Sequence, residues 1–170
     1  MLRKFSLPAV AIGLLLFTAQ ARAQFQAGDW TLTLGGTGTN GQDFDSGSFN
    51  VTGDIGYFFT NQLEIALRQS IGYTDFAGDD GSFWIGSTSV ALDYHFDMGR
   101  WQPYVGGVLG FAYGDLNDTG FGGPEGGVKY FVNSTTYIEG SVAYQWFFDS
   151  GDDLDDGQFV YGLNIGFRWR

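Results

Sequence analysis

The sequence has no cysteine and, among its 170 residues, only 3 prolines, 1 histidine and 8 lysines and arginines. Without cysteine the chain can form no disulfide framework, no thiolate metal site and no thiol nucleophile. Its 19 acidic residues give a formal net charge of −11, which excludes nucleic-acid binding through a basic surface. Glycine, with 28 residues, and aromatic side chains, at 18%, are abundant. So many aromatics and so few charges exclude an intrinsically disordered chain.

The first 23 residues have the three parts of a secretory signal peptide. A basic pair at positions 3 and 4 precedes an apolar run over 7–17, and the small residues of 21–23 form an A-x-A-like cleavage site. The apolar run is too short to cross a bilayer as a helix. We therefore predict a signal peptide over 1–23, one domain over 24–170, and an exported product.

Two-residue alternation of apolar and polar side chains recurs along the rest of the chain, broken by clusters of Gly, Asp, Asn and Ser. This pattern predicts β-strands separated by turns. We expect eight of them, near 28–36, 48–59, 63–73, 83–96, 102–114, 122–131, 135–148 and 158–169. Short and long connections alternate, as in an up-and-down meander, and eight strands can close such a meander into a barrel.

The two faces of the predicted strands differ in bulk and charge. One face is bulky and uncharged, as at Ile65 and Leu67, whereas the other is small or polar, as at Ala66 and Arg68. The interior of an eight-stranded barrel is too narrow for the whole bulky set, so that face must point outward into lipid. Aromatics near both strand ends, Phe83 and Phe121 among them, predict two interfacial belts. The predicted fold is an all-β, eight-stranded antiparallel up-and-down transmembrane β-barrel.

The charged residues of the small face predict ion pairs inside the barrel. A turn centred near residue 61 places Asp54 opposite Arg68. A turn centred near residue 134 places Lys129 opposite Glu139, with Arg168 on the neighbouring strand. Buried charges need partners, and the pairs form either a structural plug, which we favour, or a gated ion path. The predicted lumenal ion pairs involve Asp54, Glu64, Arg68, Lys129, Glu139 and Arg168, and Asp93, His95 and Glu125 share the same interior.

The long connections are rich in aspartate. The run Asp152, Asp153, Asp155 and Asp156 resembles a calcium loop only in part, because Leu154 occupies a ligand position and no glutamate follows at position twelve. A solvated acidic surface that opposes aggregation is the simpler interpretation. Weak divalent-cation binding that bridges anionic lipopolysaccharide is the alternative. No cofactor is predicted.

Three segments carry a family resemblance: Pro103-Tyr104-Val105-Gly106-Gly107-Val108-Leu109-Gly110, Gly126-Gly127-Val128-Lys129-Tyr130-Phe131, and the alternating tail Leu163-x-Ile165-x-Phe167-x-Trp169. The chain resembles the small eight-stranded bacterial outer-membrane barrels, the OmpA-barrel and OmpX-like group, broadly including OmpW-like proteins. The resemblance implies a bacterial outer-membrane location, with the short turns facing the periplasm and the long loops facing outward. It also implies contact with outer-membrane lipid, lipopolysaccharide and the outer-membrane assembly machinery. We expect a monomer.

Three functional classes follow. The first is a structural or surface-contact protein, the second is a narrow channel for small or apolar solutes, and the third is a lipid-modifying enzyme. Serine hydrolysis needs a base beside its nucleophile, and the only histidine, His95, is predicted inside the barrel. Lipid A deacylase barrels carry a His-x-Ser pair on the outer surface, which this chain lacks. We therefore expect the first class and no enzymatic activity.

Overall fold

The computed structural model describes residues 25–40, 47–75, 81–115, 118–148 and 157–170. The predicted signal peptide over 1–23 lies outside these ranges. Within them, no helix is long and apolar enough to cross a membrane. The strands are β1 (Trp30–Asn40), β2 (Gly47–Phe58), β3 (Leu63–Asp75), β4 (Ser82–His95), β5 (Trp101–Gly114), β6 (Thr119–Phe131), β7 (Thr136–Phe147) and β8 (Gly157–Trp169).

Each strand pairs antiparallel with the next, and β8 returns to pair with β1, so the sheet closes into a barrel. The predicted fold class is confirmed, and the predicted strands differ from the observed ones by a few residues at their ends. One difference is at β6, which begins at Thr119 inside a segment predicted as loop. A closed barrel pairs the backbone groups of every strand, as a bilayer interior requires.

Three short turns close one end of the barrel, which we call the short-turn end. Between β2 and β3, the hydroxyl of Thr60 accepts a hydrogen bond from the backbone N–H of Leu63 at 3.0 Å. Between β6 and β7, Oδ1 of Asn133 accepts from the N–H of Thr136 at 2.8 Å. Between β4 and β5, Gly99 adopts φ +71°, a conformation that favours glycine. The other end is the long-loop end.

The bulky face points outward. On β3, Ile65 and Leu67 are exposed, Leu67 to 50%, whereas Glu64 and Ala66 between them are buried. The same alternation runs through the other strands, and at outward positions of the described strands the only charge is Asp75, at the long-loop end of β3. The outer surface is therefore an uncharged apolar band that suits hydrocarbon.

Three polar side chains on the outer surface bond to one another. The amide of Gln69 donates to the Tyr113 hydroxyl at 2.8 Å and accepts from the Thr88 hydroxyl at 2.7 Å. Because polar groups in hydrocarbon are costly when unpaired, these mutual bonds make a polar group on the lipid-facing surface tolerable.

Candidate functional site

Glu64, on β3, is the centre of the hydrogen bonding inside the barrel. Its Oε2 lies 2.7 Å from Nζ of Lys129 and 2.9 Å from Nε2 of His95. Its Oε1 accepts a hydrogen bond from the hydroxyl of Thr31 at 2.5 Å. Side-chain exposure is 1% for Glu64, 5% for Lys129 and 0% for His95, so this carboxylate is buried but fully partnered.

A second ion-paired group lies nearer the long-loop end. Arg68, also on β3, donates from Nε to Asp54 on β2 and from Nη1 to Glu125 on β6, both at 2.9 Å. Asp54 is the direct register partner of Arg68, whereas Glu125 is on the far wall. Arg68 therefore joins a neighbouring strand and an opposite strand at once.

The hydroxyl of Tyr104, on β5, adds another bond inside the barrel and donates to Oε1 of Glu139 on β7 at 2.6 Å. The ammonium of Lys129 lies 5.5 Å from the ring centroid of Tyr104 and 5.3 Å from that of Tyr137, which is within cation–π range. We call the charged and histidine side chains in this interior the lumenal network; its members are Asp54, Glu64, Arg68, Asp93, His95, Glu125, Lys129 and Glu139.

An aromatic layer closes the lumen at the short-turn end. Phe25, Phe58, Phe131 and Tyr137 are all 0% exposed and form one cluster. Phe25, which precedes β1, stacks on Phe58 with ring centroids 4.2 Å apart. The layer therefore lies between the lumenal network and the short turns.

A cavity of about 650 Å³ lies on the other side of the network, toward the long-loop end. Asp54, Arg68 and Glu125 border it, and hydroxyl and amide side chains such as Ser87 and Gln145 line its walls. Polar and apolar side chains, together with these three charges, therefore surround this space. The described lumen is thus a cavity in one half and a packed plug in the other.

The residues predicted as lumenal ion pairs are all inside or at the end of the barrel, but their partners differ in part from those expected. Asp54 and Arg68 lie opposite each other and form an ion pair. Lys129 lies opposite Glu139 in the register, yet its short contact is with Glu64.

Arg168 lies away from the network, at the short-turn end. It contacts Asp29 at 3.2 Å and donates to the carbonyl oxygen of Ser134 at 3.0 Å. The predicted calcium-like aspartates at 152, 153, 155 and 156 lie outside the described residues.

The expectation of an interior made only of small and polar residues is wrong. Besides the aromatic layer, Tyr104 is 2% exposed, inside the barrel. Phe121, predicted for an outer belt, is 3% exposed and lines the cavity, as does Phe83. Strand parity carries the signal that locates these rings, because Phe58 shares the face of Asp54, and Phe131 shares that of Lys129.

The β6–β7 ladder is interrupted beside the network. Its register passes from Gly122↔Trp146 directly to Glu125↔Ala143. Between them lies Pro124, which has no N–H to donate to a ladder. The sheet therefore has fewer backbone hydrogen bonds next to Glu125 than elsewhere along these two strands.

Comparison with known proteins agrees with this architecture. The model of a family described as the outer membrane protein beta-barrel domain matches residues 9–167. Outer membrane porin F of Pseudomonas aeruginosa is 26% identical over 135 residues, which cover 69% of this chain and 37% of that protein. The chain thus spans about a third of the length of this relative.

Three solved structures share the fold at low sequence identity. OprG of P. aeruginosa superposes with a TM-score of 0.61 at 14% identity, covering 86% of this chain and 98% of OprG. The N-terminal β-barrel domain of P. aeruginosa OprF gives 0.56 at 21% identity, covering 85% and 98%. Neisserial surface protein A gives 0.52 at 19% identity, covering 82% and 94%.

Proposed function

The chain belongs to the outer membrane protein beta-barrel domain family and is a bacterial outer-membrane protein, and from that premise we propose that it has a structural and surface-contact role with a plugged lumen. The observation that carries this proposal is the set of bonds made across the lumen. Lys129 and Arg68 each reach a carboxylate on the opposite wall, and the aromatic layer packs beneath them.

The plug would close the barrel to solutes, because a passing solute would have to displace the packed aromatic layer and the ion-paired side chains. An eight-stranded barrel has an interior just wide enough for side chains, and here large side chains fill half of it. Breaking one buried ion pair costs about 3–5 kcal/mol, so opening a path through two layers of pairs is expensive.

The proposed orientation places the short-turn end in the periplasm and the long-loop end outside the cell. The outward apolar band would contact outer-membrane lipid, and the acidic long connections would lie at the level of lipopolysaccharide. Insertion would use the outer-membrane assembly machinery, and a monomer suffices because the closed sheet has no free edge.

Conductance in planar bilayers tests the plug. We expect the protein extracted from outer membranes to show no steady ion current, whereas Phe58→Ala together with Arg68→Ala should produce one. Leu67→Ala together with Phe59→Ala is the matched control, since both side chains are exposed on the outside. A steady current through the unmodified protein would refute the plug.

A second candidate is a narrow path for small or apolar solutes. The cavity of about 650 Å³ and the interrupted ladder beside Pro124 favour it, because together they provide a space inside the barrel and a weakly bonded wall next to it. Uptake of apolar solutes into vesicles that carry the protein tests this function. Uptake without ion current would favour the second candidate over the first.

We propose no enzymatic activity. His95 is buried, its Nε2 faces Glu64, and its ring packs against Phe25, Phe58 and Tyr104. A lipid on the outer surface would not reach this imidazole. The mass of lipid A from cells with and without the protein should be identical, and a mass shift would assign the protein to the lipid-modifying class.

A further inference from the structure

The lumenal network has an excess of negative charge. Within the described ranges its five carboxylates face two permanent cations, Arg68 and Lys129. Four of the five carboxylates have a buried oxygen with no hydrogen-bond partner among the described residues: Asp54 Oδ1, Asp93 Oδ1, Glu125 Oε1 and Glu139 Oε2. Uncompensated charge in a low-dielectric interior is costly, so the network must take up positive charge.

The excess is most concentrated between β3 and β4. Glu64 and Asp93 are direct register partners across these strands, and their residues are 1% and 4% exposed. Like charges directly opposite each other destabilise a sheet. Glu64 has three donors, whereas Asp93 Oδ1 has no partner among the described groups.

From this geometry we infer a divalent transition-metal site formed by Glu64, Asp93 and His95. One ligand atom from each residue lies within 4.8 Å of the other two. Ligands about 2.0–2.2 Å from a tetrahedral zinc ion lie roughly 3.3–3.6 Å apart, so side-chain rotations that draw the three atoms together by about 1 Å bring them onto one ion. His95 also has a ring nitrogen, Nδ1, that is buried without a partner in the described part of the chain.

The donor set selects the kind of ion. One imidazole nitrogen with two carboxylates suits zinc and similar first-row divalent ions, whereas calcium and magnesium prefer oxygen ligands alone. A divalent ion here would remove most of the negative excess and would separate the two facing carboxylates.

Lys129 competes with the metal for Glu64, and the structure provides it with another partner. Glu139 lies directly opposite Lys129 in the register, and its Oε2 has no donor among the described residues. When the ion binds, the ammonium can move from Glu64 to Glu139 without losing a carboxylate. This inference goes beyond the plug and does not depend on it, since conductance tests the plug separately.

The single histidine of the chain makes the test specific. Protein without a histidine tag, labelled with ¹⁵N-histidine and freed of metal with a chelator, is titrated with Zn²⁺ while the ring nitrogens are followed by NMR. Because the site is buried, protein purified from cells grown with added Zn²⁺ is measured as well. We expect a saturable shift of the His95 nitrogens at one equivalent of Zn²⁺.

Two variants separate this site from the acidic loops. Asp93→Asn should weaken the Zn²⁺ affinity reported by His95 at least tenfold, whereas Asp118→Asn, at an exposed position, should leave it unchanged. Zn²⁺ binding that leaves the ring nitrogens unshifted would overturn the inference, as would an Asp93→Asn variant that binds like the unmodified protein. Absence of Zn²⁺ from both preparations would also overturn it, and would indicate that protons neutralise the excess charge.

Discussion

Lys129 on β6 and Glu64 on β3 are bonded across the interior of the barrel, with Nζ 2.7 Å from Oε2. Two strands, β4 and β5, separate them along the wall, so this contact joins opposite sides of the lumen. Neither residue has bulk water to solvate it. The bond therefore links the relative position of these two strands to the balance of charge inside the barrel.

Removal of the lysine charge should destabilise the barrel strongly. Lys129→Met leaves Glu64 buried without its cation, and we expect a loss of about 3–5 kcal/mol in the free energy of unfolding. Urea-induced unfolding in lipid vesicles, followed by tryptophan fluorescence, measures it. Arg100→Met is the control, since Arg100 is exposed in a turn and should change stability by less than about 0.5 kcal/mol. Equal effects of the two variants would contradict the buried bond.

Arg68→Ala should lower the heat resistance of the folded form on gels. The substitution leaves the carboxylates of Asp54 and Glu125 without their shared guanidinium. Neutralising all three positions, with Arg68→Met, Asp54→Asn and Glu125→Gln, should restore much of the stability, because none of these three positions then carries a buried charge that has lost its partner. A triple variant that is less stable than Arg68→Ala would show that packing, and not charge, explains the loss.

Two glycines on adjacent strands, Gly140 on β7 and Gly166 on β8, should differ sharply in their tolerance of alanine. A Cβ at Gly166 would overlap the ring of Tyr137, whereas a Cβ at Gly140 meets nothing within 4 Å. We expect Gly166→Ala to cost about 1–3 kcal/mol and Gly140→Ala to be neutral or slightly stabilising. Vesicle unfolding measures both, and equal costs would mean that Tyr137 does not occupy this space.

The positions of the glycines also explain why the lumen holds larger side chains than the sequence predicted. A lumen of uniform width would hold only small and polar side chains. Space inside is uneven, because a large side chain fits where a neighbouring strand has glycine: Gly166 faces the ring of Tyr137, and Gly127 faces that of Tyr104. Which glycine adjoins which ring depends on pairing across strands, which residue types alone do not give.

Other features could be predicted because they depend on local chemistry. The period of two residues located the eight strands, and the short turn after β2 fixed the register that places Asp54 opposite Arg68. The bond between Lys129 and Glu64 could not be predicted from the sequence, since it depends on the width and stagger of the closed barrel. Local pairing had favoured Glu139, the residue directly across the ladder.

A charge placed on the outer surface should be costly. Val90, on β4, is 45% exposed among apolar neighbours, and Val90→Arg should lower the free energy of unfolding in vesicles by about 2–4 kcal/mol, the cost of a cation on the lipid face near the midplane. Gln145→Arg is the matched control, because Gln145 lines the cavity. A greater cost at Gln145 than at Val90 would reverse the assignment of the two faces.

The most direct test uses the absence of cysteine from the chain, which allows one nitroxide label at a chosen position. Leu67→Cys reports on the outer face and Ser87→Cys on the cavity. In vesicles, the label at residue 67 should collide often with oxygen, which concentrates in lipid, and rarely with a water-soluble nickel chelate. The label at residue 87 should show little of this preference for oxygen. A label at residue 67 that is open to the nickel chelate and shielded from oxygen would contradict the account.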